Sequence, residues 1–340
     1  MRLIYIPLEN IEQRYSVMMN ASLDKFADII IYPEFNYSGL IEKGQFLDIN
    51  KTCIFKAKQL QLIAEMFYKE EVKDGDVFLI ADIFFPGIES IKYMAELQGI
   101  KVKIFGFNYA GRADKTDFVQ GLGKWADSSE LGYHKLCDGI FVGSKFHKEN
   151  IERHWAVESL PKIFVTGYII DFDFMNSIFK PTGNKKENFV IWPHRICEEK
   201  GYEDLLQYAD MTDKKIIVTS SGNLSPRHLE HPNIEYRSNL TKKEYYEILD
   251  KAEFYLSTAY QETFGYTLQE AIHFRCKVVV PERACYPEFV ALENIYRKVE
   301  EIDDLFSNIS YENIESLKIQ NHFDFDRNCN DVIEIIKSNV

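Results

Sequence analysis

Short apolar runs alternate with segments of helical spacing along almost the whole chain, and that rhythm leaves few folds open. In the first half, residues 2–6, 28–32, 76–81, 101–107, 139–142 and 162–165 read as strands, and 11–26, 53–68, 87–97 and 125–136 as helices. In the second half, residues 189–192, 215–218, 234–236, 254–257 and 277–281 read as strands, 202–208 as a helix and 332–338 as a final helix. Strands separated by helices of this length predict parallel sheets, because a parallel pair needs a crossover long enough to hold a helix. The expected class is α/β. A chain of 340 residues has room for two such domains. By composition the best linker is 180–186, Lys-Pro-Thr-Gly-Asn-Lys-Lys.

In open sheets of this kind ligands bind outside the carboxyl ends of the strands. The loops that follow strands therefore carry the functional reading. The most informative is Glu262-Thr263-Phe264-Gly265-Tyr266-Thr267-Leu268-Gln269-Glu270, which follows the run at 254–257 and opens a helix. The first turn of a helix leaves amide N–H groups unpaired and carries partial positive charge, so it suits an anion, a diphosphate above all. Gly265 lets a ligand approach the backbone at Phe264 and Tyr266, and Thr263 is placed to cap the helix. Glu262 is a candidate to accept hydrogen bonds from sugar hydroxyls, and Glu270, about two turns further on, from a ribose diol. Alone, this segment equally describes a surface helix with two solvated glutamates.

A second loop shifts that balance. Pro193-His194-Arg195-Ile196-Cys197-Glu198-Glu199-Lys200-Gly201 follows the strand at 189–192. Arg195 and Lys200 are two cations on one strand-to-helix loop, and guanidinium and ammonium groups suit phosphate oxygens. His194 either touches the phosphates or fills the loop. Ser221, after the strand at 215–218, is a further candidate to line the ligand crevice. So is the main chain of Asn239 and Leu240 after 234–236, which suits contact with a base.

On these residues the chain resembles glycosyltransferase family 4. Arg195 with Lys200-Gly201 is similar to that family's Arg…Glu-Lys-Gly loop, and Glu262 to Glu270 to its Glu-x7-Glu motif. Val165-Thr166-Gly167-Tyr168 through Asp171 and Phe174 resembles the segment that passes the chain between domains, and Pro287-Glu288 the Pro-Glu after the next strand. The resemblance implies a GT-B fold, two Rossmann-like domains whose parallel sheets face a central cleft. Residues 1–172, joined by the C-terminal helix at 326–340, would form the acceptor-side domain, and 173–325 the nucleotide-sugar domain. It also implies a nucleotide-diphosphate sugar, UDP- or GDP-linked, as substrate, with no tightly bound cofactor and no obligatory metal, and transfer with retention. Glu262, Arg195 and Lys200 would carry the catalysis. His194, Ser221, Asn239, Leu240, Thr263, Phe264, Gly265, Tyr266 and Glu270 would hold the donor. The chain departs from the family at His194, where glycine is usual, at Thr263, and after Glu270, where Ala271-Ile272-His273 replaces a small-residue run. The same motifs also fit a non-catalytic module that binds a sugar nucleotide, or another GT-B enzyme such as a sugar-nucleotide epimerase.

The acceptor side is less legible. Two polar stretches follow strands: Pro7-Leu8-Glu9-Asn10 with Gln13-Arg14-Tyr15-Ser16, and 108–118. They make Glu9, Arg14, Tyr109, Arg112, Asp114 and Asp117 the acceptor candidates, with Asp114 or Asp117 to orient a hydroxyl and Tyr109 or Trp125 to stack on a flat acceptor. Both stretches weakly resemble phage-borne glycosyltransferases, which implies a hydroxymethylated pyrimidine of modified DNA as one acceptor, beside a small molecule or a glycan.

Composition sets the outer limits. A net charge of −13 weighs against broad nucleic-acid binding, although a local basic patch is compatible with it. No apolar run approaches the length of a membrane span, and the N-terminus turns polar too soon for a signal peptide, so a cytoplasmic protein is expected, in the host cytoplasm if phage-encoded. Six scattered cysteines point to reduced thiols. Asp171-Phe172-Asp173 and Asp324-Phe325-Asp326 match a metal-binding Asp-x-Asp, a common sequence, and neither falls where a metal-dependent transferase would need it.

Overall fold

The computed structural model describes the backbone of all residues except 12–13, 35–48, 156–157, 159, 221–230 and 321–324, and leaves aside the side chains of 49–50, 118, 315, 318–320 and 325–328. The chain divides into two compact units, Met1–Asp171 with Asp324–Val340, and Phe172–Phe323.

The first unit is built on β1 (Leu3–Ile6), β2 (Ile29–Ile30), β3 (Val77–Ile80), β4 (Lys103–Phe107), β5 (Gly139–Val142) and β6 (Lys162–Val165). These strands lie in the order β2-β1-β3-β4-β5-β6, and every neighbouring pair is parallel. The crossovers are α1 (Tyr15–Leu23), α2 (Ile49–Tyr68), α3 (Ile88–Gln98), α4 (Lys124–Leu136) and α5 (Lys145–His154). Ile4, Phe78, Ile80, Ile104, Ile140 and Val142 form one core with Ile63, Ile88, Ile91 and Ile151 from the helices.

The second unit opens with α6 (Phe172–Ile178) and repeats the plan with β7 (Glu187–Trp192), α7 (Tyr202–Met211), β8 (Lys215–Ser220), β9 (Ile234–Ser238), α8 (Lys242–Lys251), β10 (Ala252–Leu256), α9 (Tyr266–His273), β11 (Lys277–Pro281) and β12 (Ile295–Tyr296). Its sheet runs β12-β11-β10-β7-β8-β9, again parallel throughout. Numbered from its own first strand, that is the order 6-5-4-1-2-3 of dinucleotide-binding folds. Helices α10 (Ile302–Asn308) and α11 (Tyr311–Gln320) follow, and α12 (Phe325–Ser338) returns to the first unit beside α1. Among the described residues no helix is long and apolar enough to cross a membrane.

Three local expectations change. The helix expected over 11–26 is only Tyr15–Leu23, because Arg14 has extended backbone (φ −106°, ψ 159°) and Asn20 draws the preceding loop in, donating to the Leu8 carbonyl at 2.7 Å and to Asn10 Oδ1 at 2.8 Å. The strand at 28–32 contracts to two residues that pair with β1. The segment 180–186 lies inside the second unit. It is anchored there, since Asp250 accepts from the Thr182 amide and hydroxyl at 3.1 and 2.5 Å, and Lys186 Nζ donates to the carbonyls of Leu249 and Phe274 at 3.1 and 2.6 Å.

Candidate active site

In the second unit the chain direction across the sheet reverses between β7 and β10, which are paired neighbours. A reversal of this kind opens a crevice at the carboxyl ends of the two strands. The loops leaving those two ends are 193–201 and 257–265, the pair singled out in the sequence.

Backbone and buried side chains fasten the two loops together. Trp192 Nε1, at the end of β7, donates to Thr258 Oγ1 at 2.9 Å, and Thr258 Oγ1 donates to the Lys200 carbonyl at 2.9 Å. The Tyr260 amide donates to the Glu199 carbonyl at 2.9 Å. Gly201 makes this approach possible. Its φ is +65°, and a Cβ there would sit 2.0 Å from the Thr258 carbonyl oxygen. Only glycine satisfies both conditions.

The result is a compact charge cluster. Lys200 Nζ lies 2.9 Å from the Gln261 carbonyl, 2.9 Å from Glu199 Oε1 and 3.3 Å from Glu262 Oε2. Burial works against the Lys200 charge, but Glu262 and Glu199 outweigh it and the ammonium titrates above its ordinary range. Burial likewise raises Glu262, and the Lys200 charge and hydrogen bond override it, so its carboxyl is held below the ordinary range. Arg195 is more open, with 43% of its side chain exposed and Nη2 at 3.5 Å from Glu199 Oε2. His194 is buried beside this cluster.

On the Glu262 side of the cluster, α9 begins at Gly265 in the left-handed region (φ +78°, ψ 62°), a residue with no side chain of its own to cap the first turn. Thr263 stands two residues before it. Its amide turns to Glu262 Oε1 at 3.2 Å. The Phe264 ring belongs to the core, 5.5 Å from Phe289 and 5.2 Å from Tyr266, so only its main chain is placed for a ligand. Glu270 is 5% exposed, and its carboxylate accepts from Lys242 Nζ at 2.7 Å, Tyr245 OH at 2.9 Å and Tyr246 OH at 3.3 Å. The structure thus sets Glu270 among α8 side chains. Asn239, with φ 56°, and Leu240 follow β9, two strands from β7 and so roughly 10 Å across the sheet. Ser221 lies outside the described residues.

In the first unit the reversal falls between β1 and β3, and Glu9 and Asp82 follow those two strands. Glu9 is 1% exposed, and neither of its carboxylate oxygens has a hydrogen-bond partner among the described residues. Arg14 is buried, with its guanidinium 5.5 Å from the Tyr15 ring. Burial pushes the Tyr15 hydroxyl up; Arg14 opposes this, and Asp82 and Glu9 add to it, which places all four groups in one neighbourhood. The Tyr109 ring lies tilted against Tyr15 and Tyr168, with centroids 4.9 and 4.4 Å away. The other acceptor candidates build their own loop. Arg112 Nε pairs with Asp127 at 2.6 Å, Asp114 Oδ1 accepts from the Thr116 amide at 3.1 Å, and Asp117 Oδ1 accepts from the Val119 amide at 2.9 Å as the cap of a short 3-10 turn. Trp125 is 58% exposed at the start of α4.

Glu130, which sequence reasoning did not single out, is fully buried beneath this loop. It accepts from the Arg112 amide at 2.7 Å, and burial pushes its carboxyl up to about 7. Among the described residues no three His, Cys, Asp or Glu side chains converge as metal ligands. Asp171 of the first Asp-x-Asp instead accepts from Ser22 Oγ at 3.1 Å.

No protein-family model matches the chain. A tRNA-queuosine alpha-mannosyltransferase of Drosophila melanogaster is 28% identical over 119 residues, which span 32% of this chain and 32% of that protein, about a third of each. A sucrose-phosphate synthase structure from Thermosynechococcus elongatus superposes with a TM-score of 0.70 at 11% identity, over 99% of this chain and 98% of the other. The E. coli trehalose-6-phosphate structure bound with UDP-2-fluoro glucose gives 0.65 at 13% identity, over 99% of both chains. The chain therefore has the GT-B glycosyltransferase fold, built from two six-stranded parallel sheets.

Proposed function

We propose that the protein is a retaining glycosyltransferase that moves a sugar from a nucleotide-diphosphate sugar to a hydroxyl carried by a modified nucleobase. The observation that carries the donor half is the meeting of Lys200, Glu262 and the start of α9 at the β7–β10 reversal. A diphosphate there takes Lys200 and Arg195 on one side and the first-turn amides of α9 on the other. These groups stabilise the charge that builds on the leaving nucleotide as the glycosidic bond breaks, and they are already oriented before the reaction begins. Glu262 accepts from the sugar hydroxyls. The acceptor hydroxyl attacks from the face the nucleotide leaves. The UDP-sugar in a structure of the same fold supports this donor class.

Glu270 supports the donor indirectly in this reading. It holds Lys242 and the two tyrosines of α8 in place beside Asn239 and Leu240, which face the base. The acceptor reading rests on the first unit's own strand reversal, where Glu9, Arg14, Tyr15 and Asp82 gather. The fly relative is described as acting on tRNA-queuosine, and the phage-like stretches imply a hydroxymethylated pyrimidine. Both are hydroxyl-bearing modified bases. The test is donor hydrolysis and transfer with UDP- and GDP-sugars, using hydroxymethylated DNA and queuosine-containing tRNA as acceptors. Lys200→Ala and Glu262→Ala should each abolish most turnover. Near-unchanged rates in both variants overturn the assignment.

A further inference from the structure

We propose that His194 is a ligand of the donor diphosphate, its Nε2–H reaching a phosphate oxygen that the glycine usual at this position could not touch. The proposal rests on the donor reading above. His194 is 5% exposed, and its Nε2 is buried with no hydrogen-bond partner among the described residues. Buried polar atoms in native proteins are nearly all paired, and an orphan marks a place that water or a ligand completes. The ring cannot easily turn away to find a partner. It stands edge-on to Trp192 with centroids 5.1 Å apart, and 6.3 Å from Tyr255 on the neighbouring strand.

The surroundings say what the missing partner is. Arg195 is the next residue, and Lys200 and Glu262 are the other charges that act on the ring. Burial, with Lys200 and Arg195 adding to it, pushes the imidazole down to about 3, so it is neutral near pH 7 with one nitrogen protonated. A neutral N–H donates to an anion without placing a third full charge beside two cations, whose mutual repulsion would otherwise rise before the anion arrives. An anion held by Lys200 and Arg195 is the partner this ring suits.

The experiment is calorimetric binding of UDP, GDP, UDP-glucose and GDP-mannose to the full chain, with thermal melts as a folding control. His194→Phe keeps the ring and removes the donor. His194→Gly restores the residue usual in glycosyltransferase family 4. His194→Gln keeps an amide donor at similar reach. The Phe and Gly variants should bind the preferred nucleoside diphosphate about tenfold more weakly, and the Gln variant within about threefold of wild type. Unchanged binding in the Phe and Gly variants overturns the proposal, as does an equal loss in Gln and Phe. A loss confined to the nucleotide sugars, with UDP and GDP unaffected, places the contact on the sugar and also overturns it. If wild type binds none of the four probes, the donor reading itself falls, an outcome distinct from a defect in the variants alone.

Discussion

Substituting Gly201 by alanine should disable the donor side without touching a charged group. Two terms set the magnitude. A non-glycine residue in the left-handed region costs about 1–2 kcal/mol, and Gly201 has φ +65°. The added Cβ would also lie 2.0 Å from the Thr258 carbonyl oxygen. Relieving that clash parts the two loops by roughly 1 Å, which strains or breaks the hydrogen bonds from Thr258 Oγ1 to Lys200 and from the Tyr260 amide to Glu199, at about 1 kcal/mol each. Together these give a loss of about 3–4 kcal/mol. Gly99 supplies the control. Its φ is +67°, but a Cβ there meets nothing within 4 Å, so Gly99→Ala should cost only the first term. Denaturant unfolding of both variants isolates the clash as a difference of about 2 kcal/mol. A displacement of this size at Lys200 should also weaken nucleotide-sugar turnover by about a hundredfold. Equal destabilisation of the two variants, or full activity in Gly201→Ala, would refute the reasoning.

Other outcomes follow from the same geometry. On the proposed function, Lys200→Ala should lower turnover by about 10²–10³-fold, read as nucleotide release, because Glu262 loses its cation and the proposed diphosphate its ligand. Glu270→Ala removes the shared acceptor of Lys242, Tyr245 and Tyr246; it should lower stability by at least 3 kcal/mol or so, and Tyr245→Phe by only about 1 kcal/mol, in a urea titration. Glu130, whose carboxyl rises to about 7 in the folded chain, binds its proton more tightly there than in the unfolded chain, where it titrates near 4.3. Stability should therefore decline as pH rises from the unfolded to the folded value, by roughly 3–4 kcal/mol, and then level off. Melting Glu130→Gln beside wild type at pH 5 and pH 8 checks this. The variant should gain at pH 8 and not at pH 5.

The α/β plan was legible because parallel strands are buried on both faces, so runs such as Val190-Ile191 and Val278-Val279-Val280 stand out from the helices between them. The two loops that meet at the β7–β10 reversal stood out because their residue types carry chemistry at fixed offsets from strand ends. Strand order was not. No residue in β7 announces that β10, some sixty positions later, lies beside it, yet that adjacency brings Lys200 to Glu262. Helix α8 passed unremarked although Thr241 and Glu244 form a capping box before a run with Tyr245, Tyr246 and Leu249 buried. Polar density after β4 pointed to a ligand, and Arg112, Asp114 and Asp117 also hold together a tight loop, which needs polar side chains for its own backbone. Glu130 gave no signal, because a single glutamate in a polar helix looks the same whether it faces water or the core.

Clamping Glu270 with α8 has a consequence for anyone redesigning the enzyme. The carboxylate grows from α9, the helix proposed to open beside the sugar, while the lysine and both phenols that grip it come from α8, the helix that follows the turn proposed to face the base. The two halves of the proposed recognition surface for the donor are thus one mechanical piece. A chimaera that swaps the 239–246 segment for that of another transferase will import mismatched grips unless position 270 travels with it, and base preference and sugar preference should drift together under selection.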